Sequence, residues 1–332
     1  MASESKRTVL VAFGANLLIA LAKLLAGLIS GSSSMLAEAA HSFADTLNQV
    51  FLLTSLRQSA RPADPEHPFG YGKARFFWSL LAAVGIFVAG AVFSFYEGLH
   101  TLLSGGESGG ILIPYAVLGV SFVAEGTSWV RALKQMRREA RDGQQSLHRH
   151  VQASKDPTVK TVLAEDTAAL VGILLAAAGV GLHHVTGQAM WDGLAAIAIG
   201  VLLAGVAFLL GHDTSDLLIG ETAEPALVVG VHDRLMSYDE VSSVVELLTM
   251  HLGPDSVLVA ARVDLADSLS APQVESFSER ADDQLRKDFP LVTQVFLDAT
   301  RPDPELCRRT AEHIRALRAG TEKEAPATTG AR

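Results

Sequence analysis

The chain of 332 residues is poor in cysteine, and Cys307 is its single thiol. One cysteine excludes an intramolecular disulfide and any CxxC metal site. The sequence also lacks an HExxH motif, which a zincin-type metalloenzyme would need. The formal net charge of −9 comes from the acidic segment after Gly211, and this acidity argues against nucleic-acid binding.

Apolar residues make up 49% of the chain and are concentrated in its first two thirds. Several stretches there are about 20 residues long, which is the length of a helix that crosses a bilayer. Six such stretches are predicted, at 8–30, 34–56, 77–100, 112–134, 161–182 and 190–211. The predicted fold is therefore an α-helical membrane domain of six transmembrane helices at 1–211, followed by a small α/β domain.

Lysine and arginine are absent from alternate connections between these stretches. The connections near 31–33, 101–111 and 183–189 contain neither residue. The segment before the first helix and the remaining connections are basic, with Lys6, Arg7, Arg57, Arg61, Lys73, Arg75, Arg131, Lys134, Arg137, Arg138, Arg141, Arg149, Lys155 and Lys160. Because cytoplasmic loops carry the excess of basic residues, both termini are predicted on the cytoplasmic side of the membrane.

The segment after the membrane helices is predicted to form a second domain. A linker at 212–222 leads to a helix at 223–237, strands at 241–250 and 256–265, a helix at 270–289 and a strand at 292–298. The order α-β-β-α-β over 223–300 is that of a small open-faced sandwich. The extension 301–332 is predicted to contain a helix at 303–319 and a tail from Thr321 that lacks apolar residues to bury and is expected to be disordered.

Ionisable residues interrupt the second apolar stretch. His41 and Asp45 are four residues apart, so their side chains share a helix face and are close enough to bind one ion. Glu38 and Ser42 lie on the same face, with Asn48 at its edge. Imidazole with a carboxylate suits Zn²⁺, whereas two carboxylates favour Mn²⁺ or another harder cation. The alternative is a structural histidine that is bonded to Asp45.

Glu165 and Asp166 open the fifth stretch. Adjacent residues point about 100° apart on a helix, so the two carboxylates cannot face the second helix equally. We predict that Asp166 completes the metal site, because the small residues Ala169 and Gly172 would let the helices approach closely. Glu165 is then a fourth ligand, an acceptor that orients a ligand, or a carboxylate at the wet mouth of the pore.

Further polar residues in the apolar stretches allow more than one role. Lys23 either extends its ammonium to the interface or pairs with a carboxylate. Glu125 either relays protons or forms a bond between helices. The candidates for proton coupling are His41, Asp45 and Glu125, because protons and metal compete for the same lone pairs.

Several motifs together resemble the cation diffusion facilitator family over residues 9–300. They are Asn16, Lys23-Leu-Leu-Ala-Gly27, Ala39-Ala-His-Ser-Phe-Ala-Asp45, His67-Pro-Phe-Gly-Tyr-Gly-Lys-Ala74, Trp191-Asp192 and Gly253-Pro-Asp255. The segment Glu165-Asp-Thr-Ala-Ala169 is similar to the subgroup that includes the mitochondrial zinc exporter of animals and its bacterial relatives.

The resemblance implies a homodimer of six-helix protomers, each with a cytoplasmic ferredoxin-like dimerisation domain, that exchanges a divalent metal for protons by alternating access. The family site takes two residues four apart from each of helices two and five. His41, Asp45 and Asp166 match three of these positions, and the fourth falls on Val162, which cannot ligate. Family members often also bind zinc in the soluble domain. The weak candidates there are His232, His251 and Asp298, so we expect that regulation to be reduced or absent.

The predicted function is efflux of a divalent metal cation, in the form of Zn²⁺/H⁺ antiport across a lipid bilayer, without a cofactor and without enzymatic activity. Zn²⁺ is the predicted transported substrate, and Mn²⁺, Fe²⁺, Co²⁺ or Cd²⁺ are the alternatives. Two other interpretations are a membrane-embedded metalloenzyme with Glu165 as its base and a membrane protein that senses metal without transporting it.

Overall fold

The structure is a computed structural model that describes residues 2–105, 110–142 and 157–324. The chain forms two compact units, and each has a hydrophobic core of its own. The first unit consists of Met1–Pro62 and Ala74–Ser215, and the second consists of Ala63–Lys73 and Asp216–Arg332.

Long helices build the first unit. They are α1 (Ala2–Ser30), α2 (Ser33–Ser59), α3 (Ala74–Gly85), a π-helical segment (Ile86–Val92), α4 (Phe93–Ser104), α5 (Leu112–Asp142), α6 (Pro157–Thr186) and α7 (Met190–Ile219). The segments from α3 to α4 follow one another as the single span Ala74–Ser104. Every predicted apolar stretch is helical in this structure. The helices run past the predicted limits because polar helix formers continue the helical period beyond the apolar residues.

Some of these helices are long and apolar enough to cross a membrane by length and composition alone. In the described ranges these spans are Phe13–Ser30, Ala74–Ser104, Leu163–Thr186 and Met190–Ile219. Two further long helices, α2 and α5, are not among them. Helix α2 carries buried polar side chains, and α5 ends in basic residues. The first unit is thus a multi-pass membrane domain, and the count of six spans stays a prediction.

Alanines make up much of the buried interior of the membrane unit, and many large apolar side chains lie on its outside. The buried core includes Ala26, Ala37, Ala44, Ala83, Ala91, Ala168, Ala176, Ala196 and Ala207. Large exposed side chains include Leu18, Phe95, Val120, Leu174 and Phe208. Small residues let membrane helices approach closely, and the outer side chains suit contact with lipid.

Gly98 of α4 lies against the first turns of α7. A Cβ atom at this position would be 2.6 Å from the carbonyl oxygen of Gly193 and 2.9 Å from the backbone nitrogen of Ile197. Because both neighbours are backbone atoms, Gly98→Ala is expected to destabilise the membrane unit by about 1–3 kcal/mol. The measurement is the apparent melting temperature in detergent. The matched control is Gly205→Ala on α7, whose Cβ would meet no described atom within 4 Å. Equal melting temperatures for the two variants would contradict the close packing.

A three-stranded sheet with flanking helices builds the second unit. Its elements are α8 (Pro225–Met236), β1 (Val241–Gly253), β2 (Ser256–Leu265), α9 (Ala271–Asp288), β3 (Val292–Ala299) and α10 (Pro304–Glu324). The strand order is β1-β2-β3, with β1 and β2 antiparallel and β2 and β3 parallel. Ser270 caps α9 as predicted. The order α-β-β-α-β predicted for this region is confirmed.

The boundary between the units differs from the prediction. The predicted linker at 212–222 is helical over residues 212–219, because α7 continues to Ile219. The apolar residues Leu217 and Leu218 prolong the helix, which ends before Gly220, whose φ of 134° is a conformation that suits glycine. The predicted boundaries place residues 63–73 in the membrane domain, whereas these residues belong to the second unit.

The loop 63–73 carries the predicted His67–Lys73 motif and packs within the second unit. Gly72 lies so close to the carbonyl of Leu252 that a Cβ atom would collide with it. The Tyr71 hydroxyl donates to Oδ2 of Asp64 at 2.7 Å, and this bond holds the pKa of Asp64 below its usual value. The motif therefore orders a loop between α2 and α3.

The C-terminal extension is helical over a longer stretch than predicted. Helix α10 ends at Glu324, so the prediction that disorder begins at Thr321 is wrong for residues 321–324. The rest of the tail, 325–332, lies outside the described residues. The same holds for the basic residues Arg149 and Lys155, which entered the prediction of orientation.

Candidate metal site

Helix α2 begins at a row of serines held by one carboxylate. Ser32 caps the helix, and its Oγ accepts the backbone N–H of Met35 at 3.2 Å. Asp192, buried in the first turn of α7, accepts hydrogen bonds from the Ser32 hydroxyl at 2.9 Å and from the Ser33 backbone N–H at 2.6 Å. The hydroxyls of Ser33 and Ser34 also donate to it. These bonds fix the first turn of α2 against α7.

His41 and Asp45 lie one turn apart on the buried face of α2. Nε2 of His41 is 3.4 Å from Oδ2 of Asp45, and the two side chains are 1% and 14% exposed. Within the described part of the chain, neither ring nitrogen of His41 nor Oδ1 of Asp45 has a hydrogen-bond partner. A buried polar atom without a partner costs about 1–3 kcal/mol. Three such unpartnered atoms lie together here, and their presence in a native protein needs a functional explanation.

Asn48 links this face of α2 to α6. Its Nδ2 atom donates to both carboxylate oxygens of Glu165, each at 2.7 Å. Both side chains are buried. Glu165 also interacts electrostatically with Asp45. The α6 carboxylate that approaches the His41–Asp45 pair is therefore Glu165.

Asp166 points to a different helix. Its Oδ2 atom accepts a hydrogen bond from the Ser128 hydroxyl of α5 at 3.1 Å. Asp166 is predicted to face α2, and in this structure its hydrogen bond goes to α5, because the 100° step between neighbours turns Asp166 toward α5 when Glu165 faces α2. Which carboxylate binds the metal stays a prediction.

The small residues on α6, from which the sequence prediction favours Asp166, lie on the face of Glu165 in this structure. Seven residues span almost two turns, so Gly172 lies on nearly the same face as Glu165. In the structure a Cβ atom at Gly172 would collide with Glu38 of α2. Ala169 is also nearer in angle to Glu165 than to Asp166. The close helix approach expected from these residues is present, but it brings Glu165 to α2.

Glu125 of α5 lies within electrostatic range of Glu38, Asp45 and Glu165. It therefore adds a negative charge to the same region. In this conformation the described residues contain no group of three His, Cys, Asp or Glu side chains close enough to hold a metal ion. A complete site thus requires a further approach of α2 and α6 or a rotation of their side chains.

A buried ion pair occupies the next turn of α2. Lys23 of α1 is fully buried and donates to Oε2 of Glu38 at 2.9 Å and to the Ser42 hydroxyl at 2.8 Å. Of the two roles left open for Lys23, pairing with a carboxylate is the one observed. Helical spacing alone marks Glu38 and Ser42 as neighbours on α2, but it does not identify a partner on another helix.

The candidates in the second unit lie apart from one another. His232 of α8 contacts Asp233, with Nδ1 and Oδ1 3.1 Å apart. His251 is buried on β1, and Asp298 on β3 is paired with Arg262 at 3.3 Å. The described residues of this unit bring no three possible ligands together.

The fold and the polar cluster define a class, namely a multi-pass membrane protein with histidine and carboxylates buried between its helices. The family model of the cation efflux transmembrane domain matches residues 9–219. The chain therefore belongs to the cation efflux family.

Curated relatives of the chain are found in animals and bacteria. The mitochondrial proton-coupled zinc antiporter SLC30A9 of Xenopus laevis is 37% identical over 78% of this chain, and that of Homo sapiens is 35% identical over 78%. The chain spans about half of their length, 46% and 45% respectively. The manganese efflux system protein MneP of Bacillus subtilis (strain 168) is 24% identical over 90% of this chain and 97% of its own length.

Proposed function

We propose that the protein exports a divalent metal cation in exchange for protons, with Zn²⁺ as the substrate. The observation that carries this proposal is the buried His41–Asp45 pair, whose free lone pairs lie near Glu165 between two membrane helices. Imidazole and carboxylate form a ligand set that suits Zn²⁺. The relatives named as proton-coupled zinc antiporters support the same substrate.

In the proposed cycle, the metal enters between α2 and α6 and binds first to His41 and Asp45. Glu165 then exchanges its hydrogen bonds with Asn48 for a bond to the metal. A divalent cation neutralises the charge of the carboxylate, whereas the Asn48 amide only donates hydrogen bonds to it. Protons that reach His41 and the carboxylates compete for the same lone pairs and displace the metal. Glu125 is the proposed route for these protons, since it lies within electrostatic range of Asp45 and Glu165.

Transport by purified protein in liposomes tests this function. The lumen is made acidic and holds both a zinc-sensitive and a pH-sensitive dye. Zinc added outside is expected to enter while the lumen loses protons, and both signals are expected to stop when the proton gradient is collapsed. Zinc binding without linked proton movement would favour a metal sensor, and it would contradict the proposal.

The ligand set also suggests what controls metal choice. His41→Asp replaces the single nitrogen ligand by an oxygen ligand, so the ratio of Zn²⁺ to Mn²⁺ transport rates is expected to fall by about tenfold. The measurement is initial uptake of each metal into the same liposomes. His313→Asp, at an exposed position of α10, is the matched control. An unchanged ratio in His41→Asp would place selectivity elsewhere.

Manganese is the second candidate substrate. Two carboxylates, Asp45 and Glu165, lie in the region of His41, and oxygen ligands suit harder cations. The relative named as a manganese efflux protein supports the same possibility. Competition among Zn²⁺, Mn²⁺, Fe²⁺, Co²⁺ and Cd²⁺ in the liposome assay ranks these substrates directly.

We further propose a homodimer of six-span protomers that work by alternating access in a bacterial plasma membrane with cytoplasmic termini. The basic connections support the orientation. The α-β-β-α-β order and the mixed sheet support a ferredoxin-like dimerisation domain. Cysteine accessibility at each end of α2 in intact cells tests the orientation.

A further inference from the structure

Lys23 lies in the stretch of α1 that is long and apolar enough to cross a membrane, and it is fully buried. An ionised side chain inside the membrane is costly, so it is paired with another group or marks a functional path. Its ammonium uses two of its three hydrogens, one on Glu38 Oε2 at 2.9 Å and one on the Ser42 hydroxyl at 2.8 Å. Glu38 and Ser42 are successive residues of one stripe on α2, so the ammonium sits where a metal ion would sit between them.

Glu38 faces the same seam between α2 and α6 as the proposed transport site. Its Oε1 atom has no hydrogen-bond partner among the described residues and lies beside Gly172. An ideal Cβ at Gly172 would be 3.3 Å from Cδ of Glu38 and would collide with Oε1. The glycine therefore leaves room for the carboxylate. Glu125 adds a second negative charge within electrostatic range of Glu38.

The spacing along the helices separates this cluster from the transport site. Glu38 precedes Asp45 by seven residues, which is about 10 Å along an α-helix. It lies toward the Ser33 end of α2, whereas Asn48 and Glu165 lie on the other side of Asp45. An ion that moves from Glu165 past Asp45 along this seam reaches Glu38 next.

We propose that Glu38 and Ser42 form a second cation station on the path of the metal, and that the Lys23 ammonium occupies this station as a fixed internal cation. The inference rests on the proposed function, because it requires that metal travels along the α2–α6 seam. With Lys23 in place, Glu38 cannot retain a divalent ion by charge, so the metal passes without being trapped. Without the Lys23 ammonium, the station would hold a small divalent cation through a carboxylate and a hydroxyl.

Removal of the ammonium tests the station. Zn²⁺ binding to purified protein is measured by titration calorimetry, and its release from liposome-reconstituted protein is measured with a zinc dye. Lys23→Met is expected to bind one additional Zn²⁺ per chain and to transport at least tenfold more slowly. Lys23→Arg keeps the charge and is expected to bind the same number of ions as the unchanged protein. Lys23→Met with Glu38→Gln is expected to lose the additional ion.

A purely structural ion pair gives a different result. Lys23→Met would then lower stability without binding an additional ion, and that outcome overturns the proposal. If Lys23→Met does not purify as a single species, Lys23→Gln carries the same expectation, because its amide can still donate to Glu38 but has no charge. A protein that transports normally with Lys23→Met, yet fails with Asp45→Ala, would refute the station and leave the transport site intact.

Discussion

Asp45→Ala is expected to abolish metal-dependent proton movement in proteoliposomes. The substitution removes the carboxylate that lies 3.4 Å from His41. Loss of a group that only orients a ligand costs about 10- to 100-fold in metal affinity, so loss of a ligand itself should cost about 100-fold or more. Both the zinc signal and the proton signal should fall to the level of protein-free liposomes. Because metal and proton exchange at one place, neither signal should survive without the other.

Thr46→Val is the matched control for this experiment. Thr46 is the next residue of α2, and its hydroxyl donates to the Ser42 carbonyl at 2.8 Å rather than into the proposed site. This variant is expected to keep most of the transport rate. Undiminished flux in Asp45→Ala would discard His41 and Asp45 as the transport site. Equal loss in both variants would point to a fault in folding, which gel filtration in detergent would detect.

Glu165→Gln and Asp166→Asn are expected to have very different effects on Zn²⁺ affinity, although the two residues are neighbours. The amide that Glu165→Gln introduces would still accept a hydrogen bond from Asn48, so the link between α2 and α6 is kept while the charge is lost. Zn²⁺ affinity is expected to fall by about 100-fold, as for a lost ligand. Asp166→Asn keeps an acceptor for Ser128 and is expected to change the affinity by less than about threefold, because Asp166 is partly exposed and bonded to α5, so that it adds mainly a screened charge.

The comparison of these two variants decides between the carboxylates of α6. The Zn²⁺ affinities of the two variants are measured by metal titration at fixed pH, on variants that have equal melting temperatures. A large loss in Asp166→Asn with little change in Glu165→Gln would contradict the assignment of Glu165 and would restore the pairing of Asp166 with His41 and Asp45 that the sequence predicts.

The element pattern of this protein could be predicted from the sequence because it depends on local periodicity. Long apolar runs predicted the membrane helices, and the alternating stretches around Gly253-Pro254-Asp255 predicted β1 and β2. The assignment of residues 63–73 could not be predicted. That loop is ordered by Gly72 against Leu252, a contact between residues far apart in the chain.

The site was predictable only in part, for the same reason. The i, i+4 spacing of His41 and Asp45 gave a correct local pair. The choice between Glu165 and Asp166 depends on the rotation of α6 about its axis, which contacts with two other helices determine. The bond from Asn48 to Glu165 and the bond from Ser128 to Asp166 fix that rotation. Ala169 and Gly172 lie nearer in angle to Glu165 than to Asp166, so the spacing of the small residues on α6 favours Glu165.

The carboxylate of Asp192 has a mechanical consequence for any motion of α2. It holds the hydroxyls of three successive serines and one backbone N–H, all inside the protein. To part α2 from α7 at this end would strand a buried charge, which costs about 3–5 kcal/mol. The two helices are therefore expected to stay together at the Ser33 end during transport, with larger displacements at their opposite ends. A spin-label pair that joins α2 and α7 at the Ser59 end of α2 should show large changes in distance. A pair near Ser33 and Asp192 should keep a constant distance.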